Sequence, residues 1–215
     1  TDTLPEALVM DVRGFVRRGV DKPVTESVVV GPHEAFNESL RDNITLLRRM
    51  VRTPRLISRM KSVGDAFPKP VCVMYLDGVA PAESVRRIEE RLDGAHVDHV
   101  SSSGMLEQLL EDDPLAPLPQ LAATERPDRA ASFLMEGQVL IALDGSPRML
   151  AAPISIWHLF HTPDDTGMRW QYGTFHRVVR LIGAFIALLL PGMFVSMTMY
   201  HLRSLPMALL TSVME

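Results

Sequence analysis

Apolar and polar residues follow helix-like and strand-like periods along most of the chain. Helical spacing begins at Pro32, a suitable first-turn residue, and places Phe36, Leu40, Ile44 and Leu47 on one face. The same reasoning predicts further helices over 81–92, 102–110 and 128–136. Short apolar runs bounded by turn residues predict strands over 7–12, 56–63, 71–76, 97–100, 138–143 and 149–152.

The order of these elements predicts the fold class. Strands and helices alternate, which indicates an α/β domain with helices flanking a central sheet. Asp144-Gly145 separates the last two strands and is typical of a tight hairpin turn, so this pair is antiparallel. We therefore predict a mixed sheet.

A long apolar segment follows the α/β domain. From Leu181 to Tyr200 the chain carries no formal charge, and about twenty residues at roughly 1.5 Å each match a hydrocarbon layer of about 30 Å. Pro191 is expected to kink this helix, which transmembrane helices tolerate. A buried core helix of a soluble domain is the alternative.

The predicted elements divide the chain into five parts. These are the end of a first α/β subdomain with a linker (1–30), a second α/β subdomain (31–165), a juxtamembrane helix (166–180), a transmembrane helix (181–200) and a truncated second apolar segment (204–215). We interpret both ends as cut from a longer protein. Arg169, Arg177 and Arg180 precede the span, and Arg203 follows it, which favours a cytoplasmic soluble domain.

Composition and motifs exclude several function classes. The net charge of -4 supplies no basic face for nucleic acid. Cys72 is the single cysteine, which excludes an internal disulfide, and its apolar neighbours favour a buried thiol. No phosphate-binding loop, nucleophile elbow, H-E-x-x-H or dinucleotide motif occurs. We predict no enzyme activity, no catalytic or metal-ligating residue and no cofactor.

Two weaker patterns leave other chemistry open. His96 and His99, and likewise His158 and His161, have a spacing that could hold a metal, but no cysteine or carboxylate is seen to converge on them. Acidic clusters at 111–113 and 164–165 could supply paired carboxylates. Adjacent acids at helix ends are more simply interpreted as exposed charges or caps.

Two polar segments each place a Thr-Glu pair in a loop before a helix, at Thr25-Glu26 and at Thr124-Glu125. In one interpretation they close loops and cap helices, with Asp128 near a helix start and Arg126 paired to a carboxylate. In the other they form an interface or a switch.

The two segments resemble motifs of the A subunits of GerA-type spore germinant receptors. The first reads TESVVVGPHEAFNE over 25–38, against TExxVxGPxExFxE, and the second reads TERPD over 124–128. Similar strings follow in the same order at 75–80, 117–120, 136–139, 144–147, 162–165 and 188–191. The resemblance nominates as motif or interface residues Thr25, Glu26, Gly31, Pro32, Glu34, Phe36, Glu38, Thr124, Glu125, Arg126, Pro127 and Asp128.

The resemblance implies a subunit of a nutrient-sensing receptor that contributes to a ligand-gated cation channel in the inner spore membrane. It implies a multi-pass protein, a transporter-like B subunit and a lipoprotein C subunit as partners, a homo-oligomer, and contact with membrane lipid. Alternatives are a related stage V sporulation membrane protein that acts with the dipicolinate channel, a membrane-tethered small-molecule sensor domain, and a membrane-tethered enzyme. No ligand-binding residue is identified.

Overall fold

The structure is a computed structural model that describes Pro23, Glu26 and residues 32–113, 115–116, 118–160 and 169–200. The predicted strand at 7–12, the motif residues Thr25 and Gly31, and the second apolar segment at 204–215 lie outside the described residues. The described residues up to Ile154 belong to the first of two compact units, and those from Ser155 onward belong to the second.

A five-stranded sheet forms the centre of the first unit. Its strands are β1 (Leu56–Val63), β2 (Lys69–Leu76), β3 (Ala122–Thr124), β4 (Val139–Leu143) and β5 (Met149–Ala152). They lie in the order β1-β2-β4-β5-β3, which puts β1 and β3 at the two edges of the sheet that the described residues form.

Four helices of the described residues cover the sheet: α1 (Leu40–Met50), α2 (Ala82–Asp93), α3 (Ser103–Leu110) and α4 (Pro127–Met135). The predicted α/β class with flanking helices is confirmed. The predicted mixed pairing differs from the structure, because all four ladders between these strands are antiparallel. The reason is that α4 ends near the end of the sheet where β2 finishes. Strand β4 starts there and runs in the opposite direction to β2.

The helices form two layers, and the sheet separates two hydrophobic clusters. The α1/α4 cluster contains Cys72 and Met74 of β2, whereas the α2/α3 cluster contains Val71 and Val73 of the same strand. Successive side chains of a strand point to opposite faces, so a continuous apolar run fills both clusters. The run is buried because both of its faces are covered.

Two predicted elements differ from the structure. Helix α1 begins at Leu40 rather than Pro32, because Ser39 is the N-cap and its Oγ accepts a hydrogen bond from the Asp42 N–H at 3.4 Å. Phe36 lies before the helix, and its side chain is buried in the α1/α4 cluster. It fits the helical spacing because it is buried with the helix residues, although it is not itself helical. Residues 97–100 form no strand, and an isolated parallel bridge between Phe67 and His99 takes its place.

The second unit contains a 3-10 helix (Ile156–Phe160) and the long helix α5 (Trp170–Tyr200). Within the described residues, Trp170–Met197 is long and apolar enough to cross a membrane, with a mean hydropathy of 2.3. None of this apolar window is buried in the structure, so it is not a core helix of the described part of the chain. Helix α5 continues through Pro191, and the kink expected there stays a prediction.

Candidate functional site

The segment from Thr124 to Asp128 joins edge strand β3 to helix α4. Pro127 occupies the first turn of α4, where a missing N–H is tolerated, and Asp128 places a negative charge near the positive helix start. The backbone N–H of Arg126 donates to Thr124 Oγ1 at 3.1 Å, which fixes the turn between strand and helix. Thr124, Glu125 and Arg126 are all buried, so this loop is part of the packed domain.

Both carboxylate oxygens of Glu26 are bound, one by the Thr124–Asp128 segment and the other by Arg129 of α4. Its Oε2 accepts from Thr124 Oγ1 at 2.6 Å and from the Glu125 N–H at 3.0 Å, and its Oε1 pairs with the guanidinium of Arg129. The Glu26 side chain is only 15% exposed. Charge-assisted hydrogen bonds of this kind are among the stronger ones in proteins, and these connect positions far apart in sequence.

A buried ion pair lies beside the Glu26 contacts. Arg126 donates from Nε to Asp128 Oδ1 at 3.0 Å and from Nη2 to Asp128 Oδ2 at 2.6 Å. Glu125 accepts from Arg148 Nε at 3.4 Å. The network thus contains three carboxylates and three guanidinium groups, which is the balance expected of a structural junction and not of an anion or cation site.

A backbone contact also connects the two predicted segments. The N–H of Phe36 donates to the carbonyl oxygen of Glu125 at 2.8 Å, and the Phe36 side chain is buried in the α1/α4 cluster. Glu26 and Phe36 therefore both meet the Thr124–Asp128 segment. We name the group of Glu26, Phe36 and Thr124–Asp128 the junction.

The other motif residues lie away from the junction. Pro32 is exposed, and Glu34 pairs at the surface with Arg49, both of its oxygens lying 2.7 Å from Nη2. Glu38 is exposed and contributes its carbonyl oxygen to the N–H of Gly145 at 2.8 Å. These residues shape the path into α1 and add no chemical group to the junction.

Sequence reasoning missed two arginines of the junction and one buried asparagine pair beside α1. Arg129 and Arg148 provide cations to Glu26 and Glu125, and only the fold shows that they are close enough to do so. Asn37 and Asn43 form a buried reciprocal pair, in which the Asn37 N–H donates to Asn43 Oδ1 at 2.8 Å and Asn43 Nδ2 donates to the Asn37 carbonyl at 2.6 Å. The positions of these two asparagines on either side of the start of α1 were the sequence signal that could have predicted the pair.

Among the described residues, those considered for other chemistry do not assemble into a reactive site. Burial raises the pKa of the Cys72 thiol to about 11, with nearby Arg48 lowering it by less, so the thiol is neutral near pH 7. No group of three or more potential metal ligands occurs among the described residues. His96 Nδ1 lies 3.7 Å from Asp65 on the surface. His161 and the 164–165 acids lie outside the described residues.

Comparison with known proteins decides the family. The family model described as Bacillus/Clostridium GerA spore germination protein matches residues 1–215. The chain belongs to the GerA spore germination protein family. This membership supports a role in spore germination, and the relatives are described as germination proteins instead of as members of an enzyme class.

Individual GerA relatives cover nearly all of this chain. Spore germination protein B1 of Bacillus subtilis (strain 168) is 35% identical over 96% of this chain and 43% of its own length. The uncharacterized membrane protein YfkQ of the same organism is 35% identical over 97% of this chain and 40% of its own length. The chain therefore spans less than half the length of these relatives.

One solved GerA structure is also similar. It is the crystal structure of the N-terminal domain of the A subunit of the Bacillus megaterium spore germinant receptor GerK3. The match has 38% sequence identity and a TM-score of 0.46, and it covers 57% of this chain and 97% of that one. Helix α5 is compatible with a membrane location for this GerA chain.

Proposed function

We propose that this chain is part of the A subunit of a nutrient-sensing spore germination receptor and contributes to a ligand-gated cation channel. The receptor lies in the inner spore membrane as a multi-pass protein, with the first unit on the cytoplasmic side. Its partners are a transporter-like B subunit, a lipoprotein C subunit, further copies of itself and membrane lipid. Family membership and the apolar length of α5 support this proposal.

The single observation that carries the mechanism is the attachment of Glu26 to the Thr124–Asp128 segment. One carboxylate there receives hydrogen bonds from Thr124, Glu125 and Arg129. Contacts of this type form or break as a group, which is what an element with two discrete arrangements requires. Nutrient occupancy elsewhere in the receptor shifts the closed-to-open equilibrium, and the junction transmits that shift.

The experiment compares two glutamates of the same segment in the full receptor. Glu26→Ala removes the junction carboxylate, whereas Glu34→Ala removes an exposed ion pair with Arg49 and serves as the matched control. The measurement is potassium release from spores after nutrient addition, with subunit abundance checked by immunoblot. At equal abundance, Glu26→Ala is expected to alter the rate of release and Glu34→Ala to leave it unchanged.

An intermediate variant sharpens this test. Glu26→Gln retains one oxygen that can accept from both the Thr124 hydroxyl and the Glu125 N–H, but it loses the second acceptor oxygen and the charge that attracts Arg129. Its release rate should therefore lie between those of the wild type and Glu26→Ala. Normal release by Glu26→Ala at normal abundance would remove the support for the junction mechanism. Normal nutrient-triggered release after deletion of the whole subunit would overturn the receptor assignment and favour the stage V sporulation relative.

A further inference from the structure

A groove lies between α1 and the edge strand β1 on the sheet face that α1 covers. It has a volume of about 540 Å³, and Leu40, Ile44, Met60 and Pro70 contribute apolar atoms to its lining. Met60 is 59% exposed in the middle of β1, which is high for an apolar strand residue. Arg41 and Arg48 stand on the rim of this α1 groove.

The guanidinium groups on the rim have no carboxylate partner in the part of the chain that the structure describes. Among the described residues, Arg41 forms no ion pair and Arg48 donates only to the Ser58 hydroxyl at 3.1 Å. Residues 40–55 carry five arginines and one aspartate. Asp144 also lines the groove, but its Oδ1 accepts from the Leu40 N–H at 3.3 Å at the start of α1. An apolar floor with two exposed arginines on its rim suits a partner that is apolar at its centre and acidic at its edge.

A surface with the opposite character lies on the other side of the sheet. Helix α3 and the residues after it, 103–113, carry four acidic residues and no lysine or arginine. Glu107 and Glu111 stand four residues apart on one face of this segment, where like charges are neighbours and repel. Neither forms an ion pair with a described residue. Burial and the charge of Glu111 raise the pKa of Glu107, and Arg148 offsets only part of this effect.

The two surfaces cannot meet within one chain. Helix α1 packs on the α1/α4 cluster and α3 packs on the α2/α3 cluster, so the sheet stands between them. We infer that the α1 groove of one copy receives the acidic α3 surface of a second copy. Because the two surfaces differ, the contact is head-to-tail, and repetition of it produces a ring or an open filament. This inference rests on the proposed assembly of several copies and names the surfaces through which they meet.

The test uses the full-length subunit in its membrane, with a cross-linking reporter at two uncharged exposed positions. Thr45→Cys lies at the groove and Gln108→Cys lies on α3, so both rim charges and both α3 charges are retained. A short bismaleimide is expected to produce covalent dimers and larger species. The buried Cys72 contributes little background because it is enclosed in the core.

Charge reversal then tests specificity. Arg41→Glu with Arg48→Glu should lower the cross-linked yield at least about tenfold, since like charges then face each other across the contact. Adding Glu107→Lys and Glu111→Lys in the same chain should restore most of the yield, which a misfolded protein could not do. Arg55→Glu is the matched control, because it reverses an exposed arginine outside the groove lining and should leave the yield unchanged.

Three results would overturn the inference. They are no cross-link between the two reporter positions, an unchanged yield in the Arg41 and Arg48 double reversal, and equal losses in that variant and in Arg55→Glu. In the second of these cases, a loss of nutrient-triggered potassium release would assign the groove to another acidic partner. Normal potassium release without any cross-link rejects the paired surfaces while leaving the proposed receptor function in place.

Discussion

The guanidinium of Arg126 holds both carboxylate oxygens of Asp128 from a position that is only 1% exposed. Arg126 Nη1 is also buried and has no hydrogen-bond partner among the described residues. A buried guanidinium is tolerated when a carboxylate compensates for lost hydration, and losing that carboxylate leaves an uncompensated charge. Substitution of Asp128 should therefore destabilise the protein more than substitution of Arg126, because only the first leaves a buried charge without a partner.

We predict that Asp128→Ala destabilises the first unit by about 2–4 kcal/mol, because it leaves Arg126 buried without a counter-charge. Arg126→Met removes the charge, keeps much of the volume and should be less destabilising. Urea unfolding of the purified protein followed by circular dichroism measures both. The exposed pair Glu34–Arg49 provides the control, and Glu34→Ala should change stability by less than about 1 kcal/mol. Equal losses for Arg126→Met and Asp128→Ala would contradict the argument.

Gly137 and Gly78 provide a matched pair for backbone effects. Both have positive φ, at +88° and +77°, which strains any residue with a Cβ. A Cβ on Gly137 would also lie 3.0 Å from the Val79 carbonyl oxygen, whereas one on Gly78 would meet nothing within 4 Å. Gly78→Ala should therefore lower the free energy of unfolding by about 1 kcal/mol, and Gly137→Ala by clearly more. A smaller loss for Gly137→Ala would show that the Val79 loop moves away without penalty.

Cys72 should confer an alkaline limit on stability. Its pKa rises from an ordinary value of 9.0 to about 11 in the folded protein because the thiol is buried. The folded state then binds the thiol proton more tightly than the unfolded state does. The resulting contribution to the free energy of unfolding is complete below pH 9 and is lost as the pH rises toward 11. A pKa difference of about two between the folded and unfolded states corresponds to roughly 2–3 kcal/mol of stability. Unfolding free energies measured between pH 8 and pH 11 should fall less steeply in Cys72→Ala, and equal slopes would refute the prediction.

Helix α5 should depend on its uncharged centre for membrane insertion. Leu189 lies in the apolar run and is 63% exposed in the structure. An arginine near the centre of a transmembrane helix disfavours insertion by about 2.5–3.5 kcal/mol. In the 215-residue chain expressed by itself, Leu189→Arg should therefore reduce the fraction of protein that resists alkaline extraction from membranes. Gln171→Arg, at the helix start, should not reduce it. Equal extraction of the two variants would mean that α5 does not span the bilayer.

Most elements of the first unit could be predicted because their signals are local. The run at 71–76, the Asp144-Gly145 turn and the apolar spacing of α2 each identify an element without knowledge of its neighbours. The start of α1 was harder, since Phe36 fits the helical pattern while the cap at Ser39 begins the helix. Burial and helical geometry produce the same spacing there.

The junction could be predicted only in part. Asp128 near the start of a helix, and Arg126 paired with a carboxylate, were predicted and are confirmed, and the structure identifies that carboxylate as Asp128. The contact of Glu26 with Thr124 joins residues that are far apart in the sequence. It depends on the path of the chain through the fold, which a local sequence pattern cannot predict. Antiparallel pairing of β2 with β4 likewise depends on where α4 delivers the chain.

The sheet that separates the two hydrophobic clusters has a further consequence for how the domain responds to change. Neighbouring residues of β2 serve different layers, so a substitution at Met74 and one at Val73 disturb packing on opposite sides. The helices of one layer can therefore shift while the other layer keeps its packing. The sheet therefore keeps the two helical layers independent, and a binding event on one face can change its layer without changing the layer on the other face.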